Sequence, residues 1–202
     1  MPVLKQLRPA LVMVLAFTLL TGIAYPLAVT GIAQVMFPVA ANGSLIVKDG
    51  KVIGSALIGQ RFKSDRYFHA RPSATTDVDP ADASKTVDAP YNAASSAGSN
   101  LGPITRKLLD RVQGDIETLR KAGVAGPISV DAVTASASGL DPHISPETAL
   151  LQVSRVAKAR GLPEERVRTL VEACIERRGF GLLGEPRVNV LELNIALDAT
   201  TK

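Results

Sequence analysis

The stretch ALVMVLAFTLLTGIAYPLAVTGIAQVMF, residues 10–37, carries no charged side chain, and the next charge after Arg8 is Lys48. An α-helix rises about 1.5 Å per residue, so twenty of these residues already cross a hydrocarbon core of roughly 30 Å. The stretch therefore predicts one transmembrane helix over residues 10–37. Residues 38–202 are long enough for one domain outside the membrane and too short to suggest two.

A secretory signal peptide is the main alternative for this stretch, with Lys5 and Arg8 as its basic region. The apolar region of a signal peptide normally spans about 7–15 residues, and this one is nearly twice that length. Cleavage after Ala24 would shorten it but would leave a second apolar segment at the new N-terminus. We therefore predict a retained anchor.

The charges beside the helix predict its orientation. Lys5, Arg8 and the α-amino group lie on the N-terminal side, and residues 1–9 contain no acidic side chain. The positive-inside rule then keeps residues 1–9 in the cytoplasm. The domain of residues 38–202 is accordingly predicted to be periplasmic or extracytoplasmic.

A stripe of small or polar residues follows the helix at every fourth position: Thr18, Gly22, Pro26, Thr30 and Gln34. Lipid supplies no hydrophobic drive for helix pairing, so small and polar residues are the usual contacts between membrane helices. Pro26 would also free a carbonyl near Gly22 and bend the helix. A plain anchor would carry some of these residue types as well. We favour a face that contacts a partner.

The charge of the remaining chain is nearly balanced. Lys5 and Arg8 are two of the 23 basic residues, so the outer domain carries 21 basic against 19 acidic side chains. No basic run with interleaved aromatic residues occurs, so we predict no nucleic-acid binding. The single Cys174 cannot form an internal disulfide and is predicted to be a buried thiol.

The outer domain is predicted to have an α+β fold. Asp49-Gly50, between two runs rich in β-branched residues, is typical of the tight turn of a β-hairpin over residues 43–58. Hydrophobic periodicity and capping residues then predict three helices and two strands: helices over residues 103–122, 145–161 and 163–175, and strands over 128–134 and 188–197.

An unusual concentration of aromatic and basic residues follows the hairpin. Tyr67, Phe68, His69 and Arg71 lie within five residues, although aromatic residues make up only 4% of the chain. Aromatic residues and arginine are enriched in contact surfaces, which predicts a partner interface. Alternatively, Phe68 belongs to the core and Arg71 forms a local ion pair. The sequence leaves both interpretations open.

Residues 74–102 are poor in large apolar residues and are predicted to form a flexible or functional loop. Near its end, Gly98, Ser99 and Asn100 could offer backbone N–H groups to an anion such as a phosphate. These residues lack the lysine and the preceding strand of a P-loop. A turn leading into the next helix explains them equally well, and we favour the turn.

The chain shows no constellation typical of catalysis or metal binding. His69 and His143 are its two histidines, and neither has cysteine or carboxylate partners at metal-ligand spacing. Ser138, Asp141 and His143 could be arranged as a triad on paper, but such close neighbours in sequence rarely form one. We therefore predict no catalytic residues and no metal site.

Motifs along nearly the whole chain resemble one known family, the C subunit of the Kdp potassium-transporting P-type ATPase. The matching stretches, in the expected order, are LRPA at 7–10, TG at 21–22, YP at 25–26, ANGSLI at 41–46, GSALIGQ at 54–60, YFHARPSA at 67–74, GSNL at 98–101, VTASASGLD at 133–141, RVAKAR at 155–160 and VNVLELNIALD at 188–198.

The resemblance implies a non-catalytic subunit in a bacterial inner membrane. In this family a channel-like subunit selects potassium, a P-type ATPase subunit hydrolyses ATP, and a very small subunit completes the complex. The C subunit is described as a catalytic chaperone that raises the ATP affinity of the pump subunit, with ATP in a ternary complex. It is also pictured over the outer mouth of the channel-like subunit, where it would assist assembly or ion access.

Two departures from the family pattern fall in the loop that would contact nucleotide. Ala97 stands where the family often has a second glycine, and residues 75–89 look like an insertion. A further conflict is that ATP is cytoplasmic, whereas the charges place the outer domain outside. We therefore expect coupling to ATP use through membrane contacts or through ion access. A stand-alone, membrane-anchored binding or sensor domain is the second hypothesis, and an unidentified hydrolase is the third.

Overall fold

The computed structural model describes residues 2–200, with side chains from Lys5 onward, and the chain divides into two compact units at the Leu45–Ile46 peptide. The first unit is helical. Its elements are α1 (Pro2–Leu19), a π-helical turn (Leu20–Ala24), α2 (Tyr25–Met36) and the short α3 (Pro38–Ala41).

One continuous helix, Lys5–Met36, is long and apolar enough to cross a membrane, and none of it is buried in the protein. Its 32 residues extend about 48 Å at the usual helical rise. The predicted N-terminal membrane helix followed by an α+β unit is confirmed as the fold class. Phe37 ends the helix with a non-helical backbone (φ −137°, ψ 56°), one residue before Pro38.

The π-helical turn lies directly before Pro26. The Tyr25 N–H donates to the Leu20 carbonyl, five residues back, and Pro26 has no N–H to offer the Gly22 carbonyl. The Thr21 hydroxyl, one turn earlier, donates to the Phe17 carbonyl at 2.7 Å. The irregularity therefore falls where the sequence predicted a freed carbonyl, while the predicted bend stays a prediction.

The second unit contains seven strands and five helices among the described residues. In chain order they are β1 (Leu45–Lys48), β2 (Lys51–Ser55), β3 (Thr76–Asp79), β4 (Asp82–Asp88), α4 (Arg106–Lys121), β5 (His143–Ile144), α5 (Pro146–Leu151), α6 (Val153–Arg160), α7 (Glu164–Ala173), β6 (Ile175–Glu176), β7 (Arg187–Asn189) and α8 (Val190–Ala199).

The strands form two hairpins and one small sheet. β1 pairs with β2 through the predicted Asp49-Gly50 turn, and both turn residues have positive φ. In the three-stranded antiparallel sheet β7 is central, with Ile144 and Ile175 both opposite Val188. This sheet connects three distant parts of the sequence beneath the helices.

The predicted strand over residues 188–197 is wrong beyond Asn189, because the chain turns there into α8. The Asn189 side chain accepts hydrogen bonds from the Leu191 and Glu192 N–H groups and so caps the helix. The alternating leucines suggested a strand, but the buried positions follow one helical face: Val190, Leu191, Leu193, Asn194 and Leu197.

The predicted strand over residues 128–134 is also wrong, since Val130–Ala132 is a 3₁₀ turn. The turn presents the Asp131 carboxylate to the start of α5, where it accepts from the Ser145 N–H and from the Ser145 and Thr148 hydroxyls. These bonds, which oppose the effect of burial, lower the pKa of Asp131. Ser145 caps α5 as predicted, and its hydroxyl accepts from the Thr148 N–H at 3.1 Å.

Three further predictions need adjustment. The first predicted helix starts at Arg106 rather than 103, and the second is divided at Gln152 into α5 and α6. The predicted loop of residues 74–102 contains the hairpin of β3 and β4, whose mainly polar residues gave no strand signal. The flexibility of residues 74–102 stays a prediction.

The core of the second unit lies between the sheet and the helices. Its buried apolar residues are Phe68, Ile144, Ala149, Val153, Val156, Ala157, Val167, Val171, Val188, Val190, Leu193 and Leu197. Cys174 packs against this cluster, half-buried as the C-cap of α7, and burial raises the pKa of its thiol. Every core residue except Phe68 comes from residues 144–197, so this segment supports the rest of the unit.

Candidate functional site

The backbone of residues 67–69 is bound by two buried amide side chains. Asn194, 2% exposed, accepts from the Phe68 N–H at 2.8 Å and donates to the Phe68 carbonyl at 3.0 Å. Gln152, 8% exposed, makes the same pair of bonds to His69, at 2.7 and 3.0 Å. The two amides replace the neighbouring strands that this extended segment lacks.

Two arginines from α6 complete this arrangement. Arg155 donates to the Asp65 carbonyl at 2.8 Å and to the Tyr67 carbonyl at 3.1 Å. Arg160 donates to the Arg66 carbonyl at 2.6 Å, and its guanidinium lies 4.8 Å from the centre of the Tyr67 ring. The segment is therefore held by side chains of α6 and α8 and by Gln152 between α5 and α6.

This geometry corrects the prediction that Phe68 is a partner contact. The Phe68 side chain is 0% exposed and lies in the core, because its backbone is bound by Asn194 on the adjacent helix. Tyr67, His69 and Arg71 are only partly exposed, and each makes an internal contact. Their predicted role in a partner interface remains a prediction.

Arg71 forms an ion pair, as in the alternative interpretation, but its partner is 70 residues away and not local. Its guanidinium lies 2.9 Å from the Asp141 carboxylate and donates to the Thr134 carbonyl at 3.2 Å. Burial alone would raise the pKa of Asp141, but hydrogen bonds from His143 and Arg71 lower it to about 2. Arg71 therefore ties the segment after Phe68 to residues 134–141.

The residues of the conjectured triad are engaged in this structural network. The His143 ring lies 3.5 Å from Asp141 and 3.7 Å from Glu176. The Ser138 hydroxyl accepts from the Leu140 N–H at 3.1 Å and lies 3.4 Å from the Ser136 hydroxyl. These contacts hold the chain of residues 136–142 that leads into β5.

Gly98 lies against the backbone of the same loop. The Ala97 N–H donates to the Ser138 carbonyl at 3.0 Å, and a Cβ atom at Gly98 would stand 2.8 Å from the Ala137 carbonyl oxygen. Only glycine fits this approach without movement of one of the two loops. Ser99 and Asn100 follow as exposed residues, with Asn100 in the left-handed region (φ +49°).

A groove of about 950 Å³ passes beside Gly98 and Ser99. Its walls come from residues 60–63, 69–76, 88–91 and 98–101 and from one side of α4. Its charged side chains are Arg61, Lys63, Arg71, Lys107 and Arg111 against Asp88 and Asp115. Basic side chains prevail over acidic ones, so the groove suits an anionic group.

The α4 wall of the groove is held loosely. None of its side chains is fully buried, and the predicted apolar face (Leu108, Val112, Ile116 and Leu119) is only half-covered. The buried Arg111 Nε has no hydrogen-bond partner among the described residues, and Arg111 lies 3.4 Å from Asp115. Burial raises the pKa of Asp115 against the opposing effect of Arg111.

The polar stripe of the N-terminal helix is exposed along its length, at Thr18, Gly22, Pro26, Thr30 and Gln34. No other atom of the described residues lies within 4 Å of a Cβ built at Gly22. The side-chain Oε1 of Gln34 accepts from the side-chain amide of Asn42 at 3.0 Å, so the hydrogen-bonding capacity of Gln34 is partly used within the unit.

Sequence reasoning missed the two amides that organise the site. Asn194 lies within the apolar run LELNIAL and Gln152 within ALLQV, and a polar residue on an otherwise buried helical face is a signal for an internal hydrogen-bond network. Their partners, however, lie 126 and 83 residues away in sequence. No local pattern could have named those partners.

The fold and site define a class: a small α+β unit that follows one helix long and apolar enough to cross a membrane, with an internally bonded loop network beside a basic groove. A family model for "KdpC: K+-transporting ATPase, c chain" matches residues 7–199. The chain therefore belongs to the KdpC family of potassium-transporting ATPase subunits.

Individual relatives agree with this assignment. A "Potassium-transporting ATPase KdpC subunit" of Methylobacterium nodulans is 64% identical over 195 residues, covering 96% of this chain and 97% of the relative. The protein of the same description from Rhodopseudomonas palustris strain BisB18 is 65% identical over 196 residues, covering 97% and 98%. The similarity thus includes the long N-terminal helix as well as the second unit.

Proposed function

We propose that the chain is a non-catalytic accessory subunit of an ATP-driven potassium uptake complex and raises the ATP affinity of the pump subunit. Its relatives are described as potassium-transporting ATPase subunits, and this chain matches them over nearly its full length. In the proposed complex its partners are the channel-like, P-type ATPase and small subunits. It would also assist their assembly or the access of potassium from outside.

The exposed helix Lys5–Met36 is the observation that carries this proposal. It is long enough to cross a membrane, and its polar stripe is accessible to a neighbouring helix. The π-helical turn beside Gly22 widens the helix where a second helix could approach. We infer that this helix is a docking element as well as an anchor.

Orientation decides how the subunit acts on ATP. With Lys5 and Arg8 in the cytoplasm of a bacterial inner membrane, the outer unit faces the periplasm. Nucleotide in the cytoplasm is then reached only through the other subunits. Coupling through membrane-helix contacts accounts for an effect on ATP affinity without an ATP site on this chain.

The experiment compares two triple variants of the helix in the assembled complex. Thr18→Leu/Gly22→Leu/Thr30→Leu alters the stripe, whereas Val12→Leu/Ile23→Leu/Ile32→Leu places three leucines outside it. We expect the stripe variant to bind the other subunits more weakly and to raise the KM for ATP of potassium-stimulated hydrolysis. Equal behaviour of the two variants would contradict the proposed role of the stripe.

The basic groove gives a second candidate, direct contact with a nucleotide at Gly98, Ser99 and Asn100. The groove's excess of basic side chains favours it, and Lys107 and the unpartnered Arg111 Nε would face the phosphates. ATP binding by the full chain in detergent tests this idea. If Lys107→Gln abolishes specific binding and the exposed control Lys121→Gln does not, the coupling is direct and the topology argument fails.

A further inference from the structure

The loop between β6 and β7 carries three large apolar side chains that are almost fully exposed. Phe180 is 97% exposed, Leu182 82% and Leu183 67%. We call these three residues the apolar tip. Elsewhere in this unit the most exposed large apolar residues are Ile104 (91%) and Val130 (73%), which are far apart in the sequence. A clustered exposure of this kind marks an interaction surface.

The apolar tip is presented by a bonded loop. The Gly179 N–H donates to the Leu183 carbonyl at 2.8 Å, and the Leu183 N–H donates back at 2.9 Å. Two further backbone bonds close the turn: the Gly181 N–H donates to the Arg178 carbonyl, and the Leu182 N–H donates to the Gly179 carbonyl. At its base the loop joins two paired strands, β6 and β7. Little conformational freedom is left to lose on binding.

The backbone of Phe180 is in the left-handed region, with φ +53°. A bulky aromatic residue rarely adopts this conformation, which costs on the order of 1 kcal/mol. Gly181 and Gly184, beside it, also have positive φ but without a steric cost. The fold thus accepts both strain and exposure to present this ring, which indicates a function outside the isolated chain.

The charges around the apolar tip are largely neutralised within the loop. Arg178 pairs with Glu185, and Arg187 pairs with Glu176 at 2.9 Å. Among the described residues, Arg177 is the one cation of this loop without a carboxylate within ion-pair distance. Segments that bind an anionic lipid surface usually carry several unpaired cationic side chains. Segments that bind another protein usually have an apolar centre with a polar rim of balanced charge.

We propose that the apolar tip inserts into an apolar pocket on an extramembrane surface of another subunit of the ATPase, with an acidic group at the pocket rim facing Arg177. This inference rests on the proposed function, because it requires the other subunits. Phe180 is the central anchor, since a desolvated aromatic side chain surrounded by a polar rim is typical of a binding hot spot. The contact is separate from the helix stripe.

The test replaces Phe180 with a photo-crosslinking phenylalanine analogue in the full chain within the assembled complex. Ile104 receives the same analogue as the control, because it is equally exposed but isolated. We expect position 180 to crosslink to one identified partner subunit several-fold more than position 104. Crosslinks to lipid or to a second copy of this chain, or yields equal to the control, would overturn the proposal.

Binding measurements give the second readout. The full chain in detergent is titrated into the other subunits purified without it, comparing Phe180→Ala/Leu182→Ala with Ile104→Ala. We expect the double variant to bind about 10- to 100-fold more weakly, with Ile104→Ala unchanged. Normal binding by the double variant, together with weak binding by the helix-stripe variant, overturns this inference and leaves the proposed function standing. If the unaltered chain does not bind, the proposed function itself fails.

Discussion

Two phenylalanines of the second unit have opposite environments. Phe68 is completely buried, and Asn194 hydrogen-bonds both its N–H and its carbonyl. Phe180 is 97% exposed, in a strained backbone conformation, at the end of a loop. The region around Phe68 uses its aromatic residue to hold the fold together, whereas the loop around Phe180 contributes no residue to the core cluster.

This difference separates residues that stabilise the fold from residues that are available for binding. Residues 144–197 supply nearly all of the core and hydrogen-bond the backbone of residues 65–69, so the frame is rigid. The apolar tip and the α4 wall of the groove bury little surface. Changes there should affect binding more than folding, and changes around Phe68 should do the reverse.

The largest effect on stability is expected from Phe68→Ala. Removal of this buried ring leaves a cavity among core side chains, so the free energy of unfolding should fall by about 3–5 kcal/mol. Phe180→Ala makes the same chemical change at an exposed site and should alter it by less than about 0.5 kcal/mol. Urea unfolding of the full chain in detergent measures both. Similar losses would show that the two regions do not differ as described.

Asn194→Ala should be the next most harmful change. It leaves the Phe68 N–H and carbonyl buried without partners, and each unpaired group costs about 1–3 kcal/mol. Hydrogen exchange of the Phe68 amide should accelerate in this variant. Asn100→Ala removes an amide from the surface, and the Phe68 amide should exchange there as in the unaltered chain. Unchanged protection in Asn194→Ala would contradict the role of the amide.

Two glycines extend the comparison to the loops. Gly98→Ala places a Cβ 2.8 Å from the Ala137 carbonyl oxygen and should cost about 1–3 kcal/mol. Gly181→Ala meets open space but keeps φ near +74°, so backbone strain alone should cost about 1 kcal/mol. Gly102→Ala, where a Cβ makes ordinary contact, is the control. A larger loss for Gly181→Ala than for Gly98→Ala would be contrary to the close packing at Gly98.

The hydrogen bonds that Asp141 accepts from His143 and Arg71 should make stability depend on pH. The pKa of Asp141 is about 2 in the folded protein against 3.8 in an unperturbed carboxyl. The contribution of the ionised Asp141 carboxylate to the free energy of unfolding is therefore fully present above about pH 4 and is lost as the pH falls towards 2. Because Asp141 is partly solvated, we expect this contribution to the free energy of unfolding to be only about 1 kcal/mol.

Asp141→Asn tests this pH dependence. The variant should be less stable than the unaltered chain at pH 7, and the difference should narrow as the pH falls from 4 to 2. Asp110→Asn, at a well-exposed carboxylate, should show no such trend. Unfolding at a series of pH values measures the difference, and a constant gap across this range would refute the assigned cause.

Local signals in the sequence predicted much of the fold correctly. Asp49-Gly50 fixed the hairpin turn, Ser145 the start of α5, and Gly161, with φ +68°, the end of α6. Each depends on residues within a few positions. Leu191 and Leu193 led to the wrong prediction of a strand, because apolar residues that alternate over a short run fit either a strand or one face of a helix. The capping bonds of Asn189 decide for the helix.

The site was less accessible to sequence reasoning. The concentration of Tyr67, Phe68, His69 and Arg71 indicated an important segment, but composition does not distinguish a core from an interface. Conversely, Phe180 stands alone among glycines and gave no signal. Exposure is set by neighbours far away in the chain, so only the assembled fold separates the two phenylalanines.

By itself the sequence determined the membrane-spanning length of residues 10–37, the α+β class of the second unit and the motifs that place the chain in its family. These features depend on hydrophobic length, local periodicity and residue identity. The tertiary structure alone decided that Asn194 and Gln152 bind residues 68 and 69, that Gly98 lies against the loop of residues 133–141, and that Phe180 is presented outward. The physical reason is that hydrogen-bond partners and burial arise between segments far apart in the chain, where no local pattern records them.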